Sequence, residues 1–273
     1  MNANLLLAVV RKDLKVVFQN VGVSVPLVAA TILILVFILP GAALLAPKMG
    51  HLETVNTIWL DKAIELMPAA SRAKMAGYDL TQMLVTIILV YWAAAIFPLL
   101  PLMVVTTIAS DSFAGEKERK TLEALLYTPT TDWELLLGKL LSAWLPALGI
   151  TWGGFLLYCV TANLAAWPVM GRLFFPTTVW LIMVLWIAPA FAAFGLGAMV
   201  LISSRARTFQ AAYQLSGMVV LPCLMMFGGL LIVVVNLPVW QALLAGLLTW
   251  AIDVALLRFS RHSFRRVKLA LEI

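Results

Sequence analysis

The sequence predicts an integral membrane protein built entirely from α-helices. Of its 273 residues, 63% are hydrophobic and only 12% are charged, whereas ordinary soluble domains are about 45–50% apolar and about 25% charged. A soluble fold of this composition would expose large apolar patches to water. The apolar residues also form continuous runs that reach the roughly 20 residues needed to cross a bilayer as a helix. A transmembrane β-barrel would instead show alternation in segments of about ten residues.

Six transmembrane helices are predicted from these runs. The predicted spans are Val21–Ala46, Met83–Ala109, Leu140–Trp167, Val179–Ile202, Tyr213–Val235 and Val239–Leu257. They form a single transmembrane domain over residues 1–273. Spans one and two occupy residues 21–109, and spans three to six occupy residues 140–257.

The distribution of positive charge predicts the orientation of the chain. Fourteen of the 19 Lys and Arg residues fall in residues 1–20, in residues 110–139, in the loop after the fourth span and in the basic tail 258–273, and five fall in the other loops. Cytoplasmic segments carry an excess of Lys and Arg. We therefore expect both termini to be cytoplasmic, which agrees with an even number of spans.

Residues 1–20 are predicted to form an amphipathic helix that lies in the membrane interface. One face carries the apolar residues Leu6, Val10, Leu14, Val17 and Phe18, and the other carries Arg11, Lys12, Lys15 and Gln19. A basic helix with one apolar face is typical of an interfacial segment. The alternative is a simple positive anchor for the first span.

Several classes of chemistry are disfavoured. Cys159 and Cys223 both lie in apolar runs, so neither a disulfide framework nor a zinc site is indicated. No histidine lies in a predicted span, which argues against a Ser–His protease in the membrane. The sequence Gly138-Lys139 is followed by Leu140, which does not fit a phosphate-binding P-loop.

Asp253 is the clearest charged residue within a predicted span. It lies five residues before Arg258, about 7–8 Å from the cytoplasmic end by helix rise. We expect a carboxylate at this depth to reach water or Arg258 and to have a structural, interfacial role. The alternative is a proton relay, for which a single shallow carboxylate is thin support.

The charged segment from Asp111 to Lys139 is the most probable place for contact with another protein. Residues 116–126 are predicted to form a short helix with an apolar stripe of Leu122, Leu125 and Leu126. Pro129 ends that helix. Thr131 and Glu134 then fit a capping box that begins the helix of the third span. The alternative is a solvated connector whose leucines pack on the span ends.

These residues resemble the permease subunits of ABC type-2 exporters. The signature of that family is close to GEKERGTLExLLxTP…ExLxGK in the same loop. The matching residues are Gly115, Glu116, Glu118, Arg119, Thr121, Leu122, Glu123, Leu125, Leu126, Thr128, Pro129, Glu134, Gly138 and Lys139. Lys120 replaces the glycine that is common before Thr-Leu-Glu, and this removes some backbone freedom.

The resemblance implies a permease without chemistry of its own. Two six-span permeases would form the translocation pathway, and two separate ABC ATPase subunits would bind ATP and Mg beneath it. Residues 110–139 would act as a cytoplasmic coupling helix in a groove of the ATPase. The residues implied to contact the ATPase are Glu116, Arg119, Thr121, Leu122, Glu123, Leu125, Leu126 and Pro129.

The same resemblance implies a dimer and a location. Ala212 and Ser216 have the small-residue spacing of close helix contacts, and the fifth span is a usual dimer contact of the family. The second subunit would be another copy or a paralogue, although these residues could equally pack within one subunit. The resemblance implies a multi-pass protein of the prokaryotic plasma (inner) membrane, in contact with lipid and not with nucleic acid.

Export of a hydrophobic or amphipathic substrate, such as a drug, lipid or peptide, is the predicted function. The chain contains 10 Trp and 13 Phe residues, which suit an apolar pathway but also suit lipid contact. The main alternative is a secondary transporter or channel without an ATPase partner. Such a protein needs polar groups along its path, and the predicted spans contain few charges.

Overall fold

The computed structural model describes residues 3–19, 21–50, 65, 72–73, 75–121, 131–206, 208–218, 220 and 238–263. In these ranges the chain is almost entirely helical and contains no strand. The predicted all-α membrane fold is therefore confirmed.

Six helices organise the described residues. They are α1 (Ala3–Gln19), α2 (residues 21–50), α3 (Leu80–Glu118), α4 (Asp132–Met170), α5 (residues 178–205) and α6 (Val239–Ser263). Helices α2 to α6 each contain a stretch long and apolar enough to cross a membrane, and they correspond to the first, second, third, fourth and sixth predicted spans. Residues 209–218 are also helical, but most of the predicted fifth span, Tyr213–Val235, lies outside the described residues. The cytoplasmic position of the termini stays a prediction.

Short polar signals set the ends of the long helices. The Asp79 carboxylate accepts the backbone N–H of Gln82 at 2.6 Å and begins α3. The Thr131 hydroxyl accepts the backbone N–H of Glu134 at 3.2 Å and begins α4, which confirms the predicted capping box. Helix α4 ends at Gly171, whose φ of +61° is left-handed and suits glycine.

Helix α4 packs against α1, α2, α3 and α5, while α6 packs on α5. Four π-helical segments interrupt the spans at Leu33–Ile38, Ile87–Trp92, Asp111–Gly115 and Met183–Ile187. The wider π-helical turn departs from the regular i→i+4 ladder. In each segment one carbonyl oxygen accepts a hydrogen bond from a side chain of α4. The pairs are Thr161–Leu35 at 3.4 Å, Tyr158–Leu89 at 2.7 Å, Lys139–Ser112 at 2.7 Å and Trp152–Val184 at 3.1 Å.

The buried residues form two hydrophobic cores along α4. We call the end that carries residues 171–177 the outer end, following the predicted topology. The core there is rich in aromatic rings, and the ring centroids of Tyr158 and Phe175 lie 5.2 Å apart. Asn163 ties the outer connection to this core, because its side chain donates to the carbonyl of Phe175 and accepts from the backbone N–H of Phe174.

The charged segment is organised differently from the prediction at its start. The helix of the second span does not end near Ala109 but continues to Glu118, and Lys120 then adopts a left-handed φ of +58°. Glu116 therefore belongs to the last turns of α3 rather than to the start of a separate helix. The alternative of a solvated connector does not describe all the charges of this region, because Asp111 pairs with Arg119 and Glu116 pairs with Lys139. Residues 122–130 lie outside the described residues.

Candidate functional site

Four charged residues from three helices meet at the end of the bundle opposite the outer end, which we call the cytoplasmic end following the predicted topology. We call Lys12 and Asp13 of α1, Glu116 of α3 and Lys139 of α4 the ion-pair cluster. It contains two cations and two carboxylates, so its formal charges balance. Asp13, Glu116 and Lys139 are each at least nine-tenths buried, which makes the cluster part of the protein interior.

Lys139 is the centre of this cluster. Its side chain is fully buried, and its ammonium forms a salt bridge with Glu116 and donates to the carbonyl oxygen of Ser112 at 2.7 Å. Asp13 lies 3.8 Å from the same ammonium. An isolated buried charge costs several kcal/mol, roughly, in lost hydration. These contacts compensate that cost and make the position of Lys139 depend on both α1 and α3.

Lys12 closes the cluster on its exposed side. Its ammonium lies 2.9 Å from Glu116 and 3.2 Å from Asp13, while 45% of its side chain remains exposed. Burial opposes the charged form, but the hydrogen bonds and negative charges of Glu116 and Asp13 outweigh that effect and raise the pKa of Lys12 above 10.5. Because the folded pKa is raised, the stabilisation is complete at lower pH and is lost only as pH rises through that value.

A second ion pair holds the end of α3. Arg119 Nη1 lies 2.9 Å from Asp111 Oδ1, two helical turns earlier. Gly115 lies between them, and a Cβ atom there would approach Asp111 Oδ1 to 2.7 Å and both Arg119 Nη atoms to 3.2 Å. The glycine of the motif is therefore explained by the close passage of this ion pair.

The other motif glycine allows α1 to lie against α4. A Cβ atom on Gly138 would come within 2.7 Å of Val9 Cγ1. Without a side chain at this position, the backbone of α4 approaches α1 closely enough for Lys139, the next residue, to reach Asp13. The Gly-Lys pair is thus a packing and ion-pair unit.

Lys120 shows why glycine is common at its position in the resembling family. Its φ of +58° lies in the left-handed region, which costs an ordinary L-residue roughly 1–2 kcal/mol and costs glycine almost nothing. This chain places an exposed lysine in that conformation.

The end of α3 also contacts the helical residues that precede the fifth predicted span. The Glu118 carboxylate accepts the backbone N–H of Phe209 at 2.8 Å. The same short segment therefore contacts α1, α4 and residues 208–218. Sequence analysis did not find this link, since a backbone donor leaves no pattern in a sequence.

The predicted ATPase contacts fall into three groups. Glu116 is buried in the ion-pair cluster, whereas Arg119 is half exposed and Thr121 is exposed. The hydroxyl of Thr121 lies 3.3 Å from the carbonyl oxygen of Glu116. The remaining contacts lie outside the described residues and stay predictions: Leu122, Glu123, Leu125, Leu126 and Pro129.

The two residues predicted at a dimer interface are covered within one chain. Ala212 is fully buried in the cytoplasmic core, and Ser216 is 4% exposed with its hydroxyl donating to the carbonyl of Tyr213. Both placements agree with the alternative of packing within one subunit. Their role between subunits stays a prediction.

Asp13 is the member of the cluster that sequence analysis missed. It lies on the face of α1 that also carries Val9, Val10 and Val17, all of which are buried. A single acidic residue on an apolar helix face was the signal, because a buried carboxylate requires a partner.

The contacts predicted for Asp253 are not found among the described residues, and its structural role stays a prediction. The residue is only 1% exposed, and neither carboxylate oxygen has a hydrogen-bond partner among the described residues. It therefore reaches neither water nor Arg258 in this structure. The close packing of α5 against α6, where Gly197 lies against Leu256, covers this part of α6.

Comparison with known families decides the class of the protein. Residues 7–251 match the family described as ABC-2 family transporter protein. The chain belongs to the ABC-2 transporter family. It is a multi-pass membrane permease of an ABC transporter, a kind of subunit whose partner is an ABC ATPase. No curated protein and no solved structure matches the chain.

Proposed function

We propose that this ABC-2 permease is the membrane subunit of an ATP-driven exporter and that the ion-pair cluster transmits motion from an ATPase to the spans. The observation that carries the proposal is the fully buried Lys139, which joins α4 to α3 and α1. The ABC-2 family membership supports an ATPase partner.

The geometry gives a direct route for the motion. Helix α3 ends at Glu118 and α4 begins at Asp132, so the segment between them is connected at both ends to helices that the ion-pair cluster holds together. A displacement of that segment acts on both spans at once rather than bending one of them. The contact of Glu118 with Phe209 extends the same displacement to the fifth predicted span.

The cluster also includes α1 in the moving unit. Asp13 and Lys12 fix α1 to the ends of α3 and α4. A helix in the membrane interface would then move with the coupling segment. We propose two permeases and two ATPase subunits in the working assembly, located in a prokaryotic plasma membrane.

The proposed cargo is hydrophobic or amphipathic. A cavity of about 680 Å³ lies at the outer end, and its lining combines Arg172 and Tyr78 with apolar residues such as Val90. Arg172 donates a hydrogen bond to the Tyr78 hydroxyl at 2.8 Å. A lining with both characters suits a molecule with an apolar body and a polar group.

The ATPase contact is tested by reversing one charge in the coupling segment. For Glu123→Lys we expect normal membrane insertion and at least a tenfold decrease in the amount of ATPase that copurifies with the permease. Lys120→Glu, an equal but opposite reversal of an exposed residue outside the predicted contact set, is the control and should keep the ATPase. Normal copurification of Glu123→Lys with its ATPase would remove Glu123 from the contact.

A further inference from the structure

Helix α1 presents a second apolar surface that the protein interior does not use. Its inward face carries Val9, Val10, Asp13 and Val17, which are buried. Leu7 and Phe18 lie on another side and are 47% and 64% exposed. A helix advances about 100° per residue, so these two residues share a face that points away from α4.

Two cations flank this outward face. Arg11 lies one turn after Leu7, and Lys15 lies about one turn before Phe18; both are exposed. Neither forms an ion pair with a described residue. In contrast, the third cation of the helix, Lys12, is bound to Glu116 and Asp13. The free positive charge of α1 is thus concentrated beside its exposed apolar residues.

The depth of α1 fits the headgroup region of a bilayer. Val9 lies against Gly138, two residues before Leu140, where the third span is predicted to begin, and hence about 3 Å from that predicted boundary by helix rise. Interfacial helices bury their apolar face about 5–10 Å into the boundary between headgroups and acyl chains. At this depth Leu7 and Phe18 reach acyl chains, while the long side chains of Arg11 and Lys15 reach phosphates.

From these placements we propose that the outward face of α1 is a binding surface for anionic phospholipids. Leu7 and Phe18 contact the acyl chains, and Arg11 and Lys15 bind the headgroup phosphates. Charge complementarity selects anionic over zwitterionic lipid, because each cation near an anionic membrane surface strengthens binding by about fivefold.

Lys12 connects this surface to the ion-pair cluster. Its ammonium already bridges Glu116 and Asp13, yet nearly half of its side chain is exposed on the same helix. A lipid phosphate bound at Arg11 or Lys15 lies within one turn of Lys12 and competes with Glu116 for it. The lipid surface is therefore adjacent to the segment that the proposed function assigns to coupling, although lipid binding itself does not require an ATPase.

The proposal is tested with the full chain alone in lipid nanodiscs. Nanodiscs of phosphatidylcholine with increasing phosphatidylglycerol are compared, and bound phosphatidylglycerol is counted by native mass spectrometry. For Arg11→Gln/Lys15→Gln we expect roughly 25-fold weaker retention of phosphatidylglycerol. The matched control is Arg72→Gln/Lys120→Gln, which removes two exposed cations elsewhere and should retain the lipid like the wild type.

Two further measurements, on a single variant and with a soluble competitor, make the result decisive. Lys15→Gln alone should weaken retention by about fivefold, so the test survives if the double variant folds poorly. Glycerol phosphate in solution should not displace the lipid, since it lacks the chains that contact Leu7 and Phe18; displacement would identify a simple anion site and overturn the proposal. Equal retention by wild type and Arg11→Gln/Lys15→Gln, or equal loss in the control, would also overturn it.

Discussion

The two ends of α4 are fastened to their neighbours by different chemistry. Toward the outer end, Tyr158 and Trp152 each donate a neutral hydrogen bond to a carbonyl oxygen of a π-helical segment. At the cytoplasmic end, Lys139 makes the equivalent bond to Ser112 and adds two carboxylates. The contact between a side chain of α4 and a carbonyl oxygen of a π-helical segment is therefore neutral toward the outer end and ionic at the cytoplasmic end.

The two kinds of contact differ in the free energy that is lost when one of them is broken. Interhelical hydrogen bonds in membranes contribute about 0.6 kcal/mol on average, so the neutral hydrogen bonds of α4 are easily broken. Breaking a buried ion pair by removing one partner costs about 3–5 kcal/mol. We therefore expect the outer end to rearrange more readily than the cytoplasmic end, as the proposed export pathway would require.

Replacement of Lys139 by Met should have the largest effect. The change leaves Glu116 and Asp13 buried without their main cation, so we expect the free energy of unfolding to fall by about 3–5 kcal/mol. Unfolding in detergent by a denaturing surfactant measures it. Lys120→Met removes an exposed lysine nearby and should change stability by less than about 0.5 kcal/mol. A similarly small effect at Lys139 would mean that its ion pairs are no stronger than the neutral hydrogen bonds of Tyr158 and Trp152.

The close approach of α1 is broken by Gly138→Ala. The added Cβ would lie 2.7 Å from Val9 Cγ1, and overpacking of this kind costs about 1–3 kcal/mol. Gly149 on the same helix faces open space, and Gly149→Ala should stabilise α4 by up to about 1 kcal/mol. Thermal unfolding of the two variants gives the comparison. Equal shifts in both would show that α1 does not constrain α4.

Replacement of Lys120, whose backbone is left-handed, by glycine should stabilise the end of α3. Lys120→Gly removes an unfavourable conformation at φ +58°, and we expect a gain of about 1 kcal/mol. Lys117→Gly, inside the last turns of the helix, should lose about 1 kcal/mol instead. Stability that falls in both variants would contradict the left-handed conformation of residue 120.

The neutral joint at the outer end gives the smallest expected effect. Tyr158→Phe removes only the hydroxyl that bonds the carbonyl of Leu89, and we expect a loss of about 0.6–1.7 kcal/mol. Tyr213 is 48% exposed, so Tyr213→Phe is a suitable control with little change. A loss at Tyr158 as large as that at Lys139 would erase the distinction between the two ends.

The sequence predicts the five spans found in the described residues, because membrane insertion requires continuous apolar runs. It also predicts the start of α4, since the capping box of Thr131 and Glu134 is a local signal. It fails where charges are paired across helices. Glu116 looks like the start of a solvated helix until Lys139 and Lys12 are brought beside it, and Asp13 is hidden among valines. Pairing over more than 100 residues, as between Lys12 and Glu116, depends on the packed fold and leaves no local pattern.

The central claim is that α1 and the coupling segment move as one unit held by Lys139. Cys159 and Cys223 are first replaced by Ala, and spin labels are then attached at positions 7 and 120, where Leu7 and Lys120 are both exposed. Electron paramagnetic resonance measures the distance between the two labels in the complex with the ATPase. The account predicts that this distance stays the same with and without trapped ATP in the otherwise native protein and broadens or shifts with ATP in Lys139→Met. A distance that changes on ATP trapping while Lys139 is intact would contradict it.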